Sequence, residues 1–353
     1  VRVTNGRDTS ASGKLCDNTA KTSLQLTALY SGTRGNHICV GIGSGTAVNS
    51  KKLTVSLPGV SAEVFDNLRG EGEVLWKAMA DAVNQGQLNI RGPSQLVRAK
   101  VTESDATSPS PSPVTEVTLS GGTDGATGIK DPVILGEDGI GTPRKGMYAL
   151  RGTNSQVINL IDVTDKNCWP AMAAFGSSEG AYIIAQGGIS TDCKALSEAL
   201  NSSGVDDWHF KLIVGDWPYW KDTANGINRM IAPATFEAAN IAARSPHIST
   251  LNKRIPGIIA TKRQLMGRPY SVPEIGAINS ARLDVITNPC PGGNYFGMRS
   301  GRNTSSNPTQ NDDTFTRMTN FLSLTIAASF GGVVGDNQTV DLRRETKSTL
   351  ESF

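Results

Sequence analysis

The sequence predicts an α/β protein: a mostly parallel sheet flanked by helices, preceded by a β-rich α+β domain and followed by a helical segment. Between residues 117 and 300, short segments made almost entirely of apolar residues alternate with helical ones. Residues 156–163 and 208–214 are two such strands, and residues 232–243 form one of the intervening helices. Strands covered on both faces of a parallel sheet have this composition, because helical crossovers lie on each face.

The β-rich domain is predicted at residues 1–116. Apolar and polar residues alternate within residues 22–57, as they do in strands with one buried face. One helix is predicted at residues 73–85, where the apolar residues share one face and Gly86 supplies a stop signal. Residues 102–114 are rich in Ser, Pro and Thr, which predicts a linker that closes this domain.

The end of the chain is predicted to be helical, from residue 304 to 353, which leaves residues 117–303 as the α/β core. The apolar residues of the first helix recur at intervals of three and four: Phe315, Met318, Leu322, Ile326 and Phe330. Asp312 and Asp313 are candidate N-cap residues for it. A last helix is predicted from residue 339 onwards. It has no stop signal, so we expect the natural chain to continue.

Composition narrows the possible classes of function. The 34 Lys and Arg residues nearly balance the 32 Asp and Glu residues, and the formal net charge is +2. Such a chain has no strong field to attract nucleic acid or an anionic membrane, so we expect neither as a partner. No apolar run approaches the ~20 residues that a membrane-spanning helix needs, and we expect no membrane insertion.

The five cysteines are scattered along the chain: Cys16, Cys39, Cys168, Cys193 and Cys290. None belongs to a CxxC pair or to a Cys/His cluster with the spacing of metal ligands. An odd number of widely separated cysteines fits the reduced thiols of a cytoplasmic product. We therefore expect no metal site and no cofactor.

Several segments resemble a known family. The most specific is residues 288–299 (NPCPGGNYFGMR), which is followed by residues 301–307 (GRNTSSN) and 314–321 (TFTRMTNF). Together they resemble the Mu-like branch of the contractile phage tail sheath proteins. Matching segments also occur upstream, at residues 30–36, 65–68, 147–152, 175–180 and 215–220. The resemblance therefore covers most of the chain.

The resemblance implies a structural subunit without catalytic activity. Sheath subunits stack as hexameric rings around a tail tube, and contraction of the sheath drives the tube through the host envelope. The implied partners are other sheath subunits, the tail tube protein, the baseplate and the tail terminator. The implied location is the virion tail, with assembly in the host cytoplasm.

The family also implies a domain for each part of the chain. The core at residues 117–303 would be subtilisin-like, and residues 304–353 would begin an inner helical domain that faces the tube and is truncated here. Family members carry terminal arms that add strands to neighbouring subunits, and we expect those arms to be missing from this chain.

Four basic residues are candidates for contact with the tube. Arg343, Arg344 and Lys347 fall within an arc of about 100° on the last helix, and Arg317 lies on the helix before it. In the functional interpretation they meet carboxylates on the tube. The alternative is a solvated helix face, supported by the i,i+4 spacing of Lys347 and Glu351.

Two alternatives to a phage sheath follow from the same residues. The segment 176–180 fits G-x-S-x-G with Ser178 as nucleophile, which would make the chain a serine hydrolase on a subtilisin-like scaffold. A nucleophile elbow needs a strand before it and a helix after it, whereas the predicted order here is the reverse. No base is placed beside Ser178: His37 and His209 lie in predicted strands, and His247 in a loop. The second alternative is the sheath of a tailocin or another contractile injection device.

Overall fold

The computed structural model describes residues 2–102, 115–139 and 141–352, with only the backbone described at Thr115. The predicted linker at residues 102–114 lies, apart from Thr102, outside these residues. Contacts divide the chain into two compact units, Arg2–Ile129 and Lys130–Phe353. The predicted boundary after residue 116 falls within a strand of the first unit.

The first unit is β-rich. In chain order its strands and helix are β1 (Ser12–Cys16), β2 (Thr22–Ala28), β3 (Cys39–Ser44), β4 (Lys51–Leu57), β5 (Val60–Leu68), α1 (Glu73–Gln85), β6 (Val97–Val101) and β7 (Thr115–Thr118). One antiparallel sheet has the order β1-β2-β6 and another the order β5-β4-β3-β7. The alternating pattern of the sequence directs one side of each strand into a common core, as it does at Leu24 and Leu26 of β2.

Helix α1 confirms the helix predicted at residues 73–85. It buries Leu75, Trp76, Met79 and Val83 against the core of the first unit. Gly86 ends it with a φ of +85°, and a side chain at this position would collide with the Arg91 carbonyl.

The second unit contains the layered part of the chain. Its elements are α2 (Asp131–Leu135), β8 (Val157–Asn159), α3 (Trp169–Glu179), β9 (Tyr182–Gln186), α4 (Cys193–Ser203), β10 (Phe210–Ile213), β11 (Pro218–Asp222), β12 (Ile227–Met230), α5 (Pro233–Ala242), β13 (Ile258–Thr261), α6 (Lys262–Leu265), α7 (Val272–Ser280), β14 (Ile286–Thr287), β15 (Gly297–Met298), α8 (Asp313–Phe330) and α9 (Val340–Ser352). The chain is therefore mixed α/β, as predicted.

Three parallel strands, in the order β10-β9-β8, form the centre of this unit. Strand β9 is buried along its whole length. Ile183 and Ala185 face a core built with α3 and α4, whereas Tyr182 and Ile184 face a second core built with α5. Helices thus cover both faces of these strands, which is why the sequence is apolar without alternation.

The prediction of a mostly parallel sheet is not confirmed for the rest of the core. The sheets β12-β11-β13 and β14-β15 are antiparallel. Beyond β8–β10, the described residues of this unit add two isolated parallel bridges, Ile213 to Asp284 and Leu251 to Met298. Strands β11 and β12 are joined by a short turn at residues 223–226, and a connection of that length permits only antiparallel pairing.

The two helices predicted near the end of the chain are confirmed as α8 and α9. Asp312 caps α8, its carboxylate accepting a hydrogen bond of 2.7 Å from the Thr314 amide. The deeply buried side of α8 is polar and consists of Asp313, Thr316, Arg317 and Asn320. Across residues 2–102, 115–139 and 141–352, no helix has the length and apolar character needed to cross a membrane.

Candidate functional site: a buried charge cluster

A lysine surrounded by three carboxylates lies inside the second unit. The Nζ atom of Lys211 is 2.6 Å from Asp313, 2.8 Å from Asp284 and 3.2 Å from Glu237. All four side chains are at most 1% exposed. Together with two hydroxyl groups they form what we call the Lys211 cluster: Lys211, Glu237, Asp284, Asp313, Tyr182 and Thr250.

The fold brings these residues together from distant parts of the sequence. On β10, Phe210 and Leu212 point into the core beneath α3 and α4, so the intervening Lys211 faces the opposite side. Helix α5 covers that side and carries Glu237. Asp313 is the first residue of α8, 102 residues beyond Lys211. The cluster therefore joins the parallel sheet, α5 and the C-terminal helix.

Asp284 holds the backbone that returns to the sheet. Its carboxylate accepts hydrogen bonds from the amides of Val285, Ser300 and Gly301 at 2.8, 2.8 and 2.9 Å, and a longer one from Arg299 at 3.2 Å. These donors and the Lys211 ammonium together replace the water that a buried carboxylate loses.

Thr250 bridges two carboxyl groups of the cluster. Its hydroxyl oxygen is 2.7 Å from Glu237 Oε1 and 3.0 Å from Asp313 Oδ2. A hydroxyl has one hydrogen to donate, so it can serve only one of these oxygens. The contact with Glu237 is also favourable when Glu237, whose pKa is raised to about 7, is protonated and donates to Thr250. The Thr250 hydroxyl therefore links Glu237 to Asp313.

The electrostatics of the site agree with this geometry. Burial raises the pKa of Glu237 to about 7, with the Lys211 ammonium opposing the shift. Burial and the neighbouring Asp313 carboxylate raise the pKa of Tyr182 well above its usual range, so its phenol stays protonated and donates to Asp313. The three carboxylates hold the pKa of Lys211 well above its ordinary value despite its burial.

Arg317 lies next to the cluster, one turn after Asp313 on α8. Its guanidinium donates to the backbone carbonyls of Arg244, Ser245 and Ile248 at 2.6, 3.1 and 3.3 Å. The side chain is 9% exposed, and burial lowers its pKa. It fastens α8 to the segment that follows α5. This geometry gives Arg317 a role inside the unit, so we leave it out of the proposed tube contact.

The other three predicted contact residues are on the surface. Arg343, Arg344 and Lys347 are exposed on α9. Arg344 lies 3.4 Å from Asp341, and Lys347 lies 3.6 Å from Glu351, the pair expected from the sequence. Exposed pairs of this kind contribute about 0–1 kcal/mol and can exchange partners readily. Contact of these residues with a tube stays a prediction.

The G-x-S-x-G segment has the reversed context expected from the sequence. Ser178 lies near the C-terminal end of α3, and strand β9 follows. Its hydroxyl donates to the Phe175 carbonyl at 3.0 Å and accepts from Arg151 at 3.2 Å. Within the described part of the chain, no hydrogen bond joins Ser178 to a histidine. The arrangement is that of a helix-to-strand turn.

The histidines differ in part from the prediction. His37 ends a short 3-10 helix and is not in a strand, because residues 33–37 turn before β3 begins. His209 lies in a turn directly before β10, where its ring nitrogen is 3.1 Å from Asp207 and its ring packs on Trp208. His247 is exposed in a loop.

The described residues contain no group of three or more His, Cys, Asp or Glu side chains placed to hold a metal ion. In the Lys211 cluster, the ammonium group itself occupies the space between the three carboxylates. Sequence patterns do not predict this cluster, although one signal is present. Lys211 is a charged residue within an otherwise apolar strand that was predicted to be buried on both faces.

Comparison with known proteins places the fold. Neither a family model nor a curated protein matches the sequence. Among solved structures, one similar to this chain is the sheath tail protein of Desulfitobacterium hafniense. The aligned region covers 97% of this chain and 70% of that protein, with 15% identity and a TM-score of 0.51. A second is a sheath tail protein of Listeria innocua, for which the aligned region covers 89% of this chain and 60% of that protein, with 15% identity and a TM-score of 0.55. The chain thus has the fold of tail sheath proteins.

The cluster predicts a pH dependence of stability. The pKa of Glu237 is about 7 in the folded protein against an ordinary 4.5, so the folded state binds this proton more tightly. The resulting stabilisation is fully present below pH 4.5 and is lost as the pH rises through 7. From this group alone, the free energy of unfolding should fall by about 1.4 kcal/mol per pH unit within that window.

Urea unfolding of the wild type and of Glu237→Gln, repeated from about pH 5 to about pH 8, measures this slope. Glutamine keeps the shape of a protonated glutamate but cannot titrate, so the variant should lack the contribution. Parallel stability profiles for the two proteins would show that Glu237 is ordinarily ionised and that the cluster holds no extra proton.

Proposed function

We propose that this chain is a structural subunit of a contractile tail sheath. The observation that carries the proposal is the shared fold, which extends over 97% of the chain in the comparison with the Desulfitobacterium hafniense protein. The segments at residues 288–299, 301–307 and 314–321 support it independently, since they resemble the same family in sequence. The described geometry offers a packed charge cluster and no nucleophile beside a base, which fits a mechanical role without catalysis.

In this proposal, the second unit contains the subtilisin-like core of the sheath. The support is its layering, in which three parallel strands are covered by α3 and α4 on one face and by α5 on the other. Residues 304–353 would be the start of the inner helical domain. Helix α8 supports this assignment because its first turns are buried, whereas Leu322 and Ile326 further along are 38% and 42% exposed.

The proposed assembly is a stack of hexameric rings around a tail tube, in the virion tail after assembly in the host cytoplasm. Its partners are other sheath subunits, the tube protein, the baseplate and the tail terminator. Contraction pulls on the connection between the core and the tube-facing helices. A buried ionic cluster suits that connection, since breaking one of its pairs costs about 3–5 kcal/mol whereas an exposed pair contributes about 0–1 kcal/mol.

Electron microscopy of the full-length protein tests the proposed function directly. Expressed with its tube protein, the full-length protein should form tubes of stacked hexameric rings in a long, narrow state and a short, wide one. Well-folded particles that never exceed the size of a monomer, with or without the tube protein, would contradict it. If such tubes form, genes for a capsid and a terminase next to the gene for this chain would indicate a phage, and their absence a tailocin.

We further propose that Arg343, Arg344 and Lys347 contact carboxylates on the tube. Replacing all three with Glu in the full-length protein should weaken assembly on the tube, with a larger defect at low ionic strength, because salt screens exposed charges beyond about 10 Å. Sedimentation of sheath on preformed tubes measures the effect. The matched control changes the exposed Lys14, Arg98 and Lys100 of the first unit to Glu. Equal assembly by both triple variants would exclude the tube contact.

A further inference from the structure

The Lys211 cluster has the parts of a condensation site. An amine and a carboxyl group are in direct contact, with Lys211 Nζ 2.6 Å from Asp313 Oδ2, and neither side chain is more than 1% exposed. Two groups fixed at this distance react as if each were present at a very high concentration. The enclosure also excludes the bulk water that would hydrolyse an amide product.

Asp313 is the acceptor that the surroundings favour. Its Oδ1 accepts a hydrogen bond from the Tyr182 phenol, which is placed to stabilise negative charge on that oxygen during attack on Cγ. Its Oδ2 accepts from Thr250 and from Lys211, so a proton can reach the oxygen that must leave. Asp284 differs, since the four backbone amides that it binds stabilise the carboxylate anion, which is a poor electrophile.

Glu237 is placed to move protons between the two groups. One of its oxygens is 3.2 Å from Lys211 Nζ and 2.7 Å from the Thr250 hydroxyl, which in turn reaches Asp313. Its pKa of about 7 lets it release and accept a proton at neutral pH. The third carboxyl group, which exceeds what one lysine needs for pairing, therefore has a chemical use.

We propose that Lys211 and Asp313 form an intramolecular isopeptide bond. Glu237 passes its proton through Thr250 to the Asp313 carboxylate and then takes one from the Lys211 ammonium. This second transfer is uphill and slow, because the three carboxylates raise the pKa of Lys211 well above its ordinary value. The neutral amine attacks Asp313 Cγ, a C–N bond forms, and the C–O bond to the protonated oxygen breaks. That oxygen leaves as water with the second amine proton, and Glu237 is left protonated as at the start. The step needs no oxidant and no other reactant.

The bond would join β10 covalently to the first residue of α8 and close a loop across 102 positions of the sequence. The connection between the core and the C-terminal helix would then withstand force that separates an ion pair. The proposal stands on the geometry of this unit and does not depend on the sheath assignment.

Intact-mass spectrometry of the denatured protein tests the proposal. After folding, the wild type should weigh less than its sequence mass of 37.3 kDa by one water molecule. Proteolysis should release a branched peptide that contains Lys211 and Asp313, because trypsin cannot cleave after a lysine whose amine is in an amide. A wild-type protein at its full sequence mass would overturn the proposal, as would a branch at Asp284.

Two variants show whether a loss of water comes from the Lys211–Asp313 bond or from another residue. Lys211→Arg keeps a buried cation but has no primary amine, so it should show the full sequence mass. Glu237→Gln keeps the shape of the glutamate but cannot carry a proton. After the same folding time, most of this variant should still be at its full sequence mass. Loss of water that persists in Lys211→Arg would assign the dehydration to another residue and contradict the bond.

Discussion

The buried ammonium of Lys211 is the constraint on which the second unit depends. A single charge in the interior of a protein is very unfavourable unless it is paired and fully hydrogen-bonded. Here Glu237, Asp284 and Asp313 provide the pairing, and each lies on a different segment of the chain. The position of every one of these segments is therefore tied to a single strand at the centre of the sheet.

This constraint explains why the deeply buried side of α8 is polar. Asp313, Thr316, Arg317 and Asn320 lie at spacings of three and four and form its deeply buried side. Asp313 reaches the cluster, and Arg317 satisfies carbonyl groups in the segment after α5. Polar contacts of this kind work only in one geometry, so they fix the direction of the helix, whereas an apolar face would tolerate sliding.

Local patterns predicted what local interactions decide. The helix at residues 73–85, the capped start of α8 and the doubly covered strands β9 and β10 all follow from spacing, turn chemistry and apolar runs. Strand pairing beyond β8–β10 could not be predicted, because the segment of β13 is apolar whether it pairs in parallel or not. The cluster could not be predicted because its members lie up to 131 positions apart, and Arg317 was taken for a surface residue for the same reason.

Hydrogen exchange in α8 tests the central claim, that the cluster makes this helix part of the core. Two adjacent residues provide a matched pair: Asp313 is buried in the cluster, and Asp312 is an exposed N-cap. Asp313→Ala should lower the opening free energy of amides in residues 314–320 by about 3–5 kcal/mol while β9 and β10 stay protected. Asp312→Ala should lower it by only about 1 kcal/mol. Equal protection of α8 in the two variants would contradict the claim.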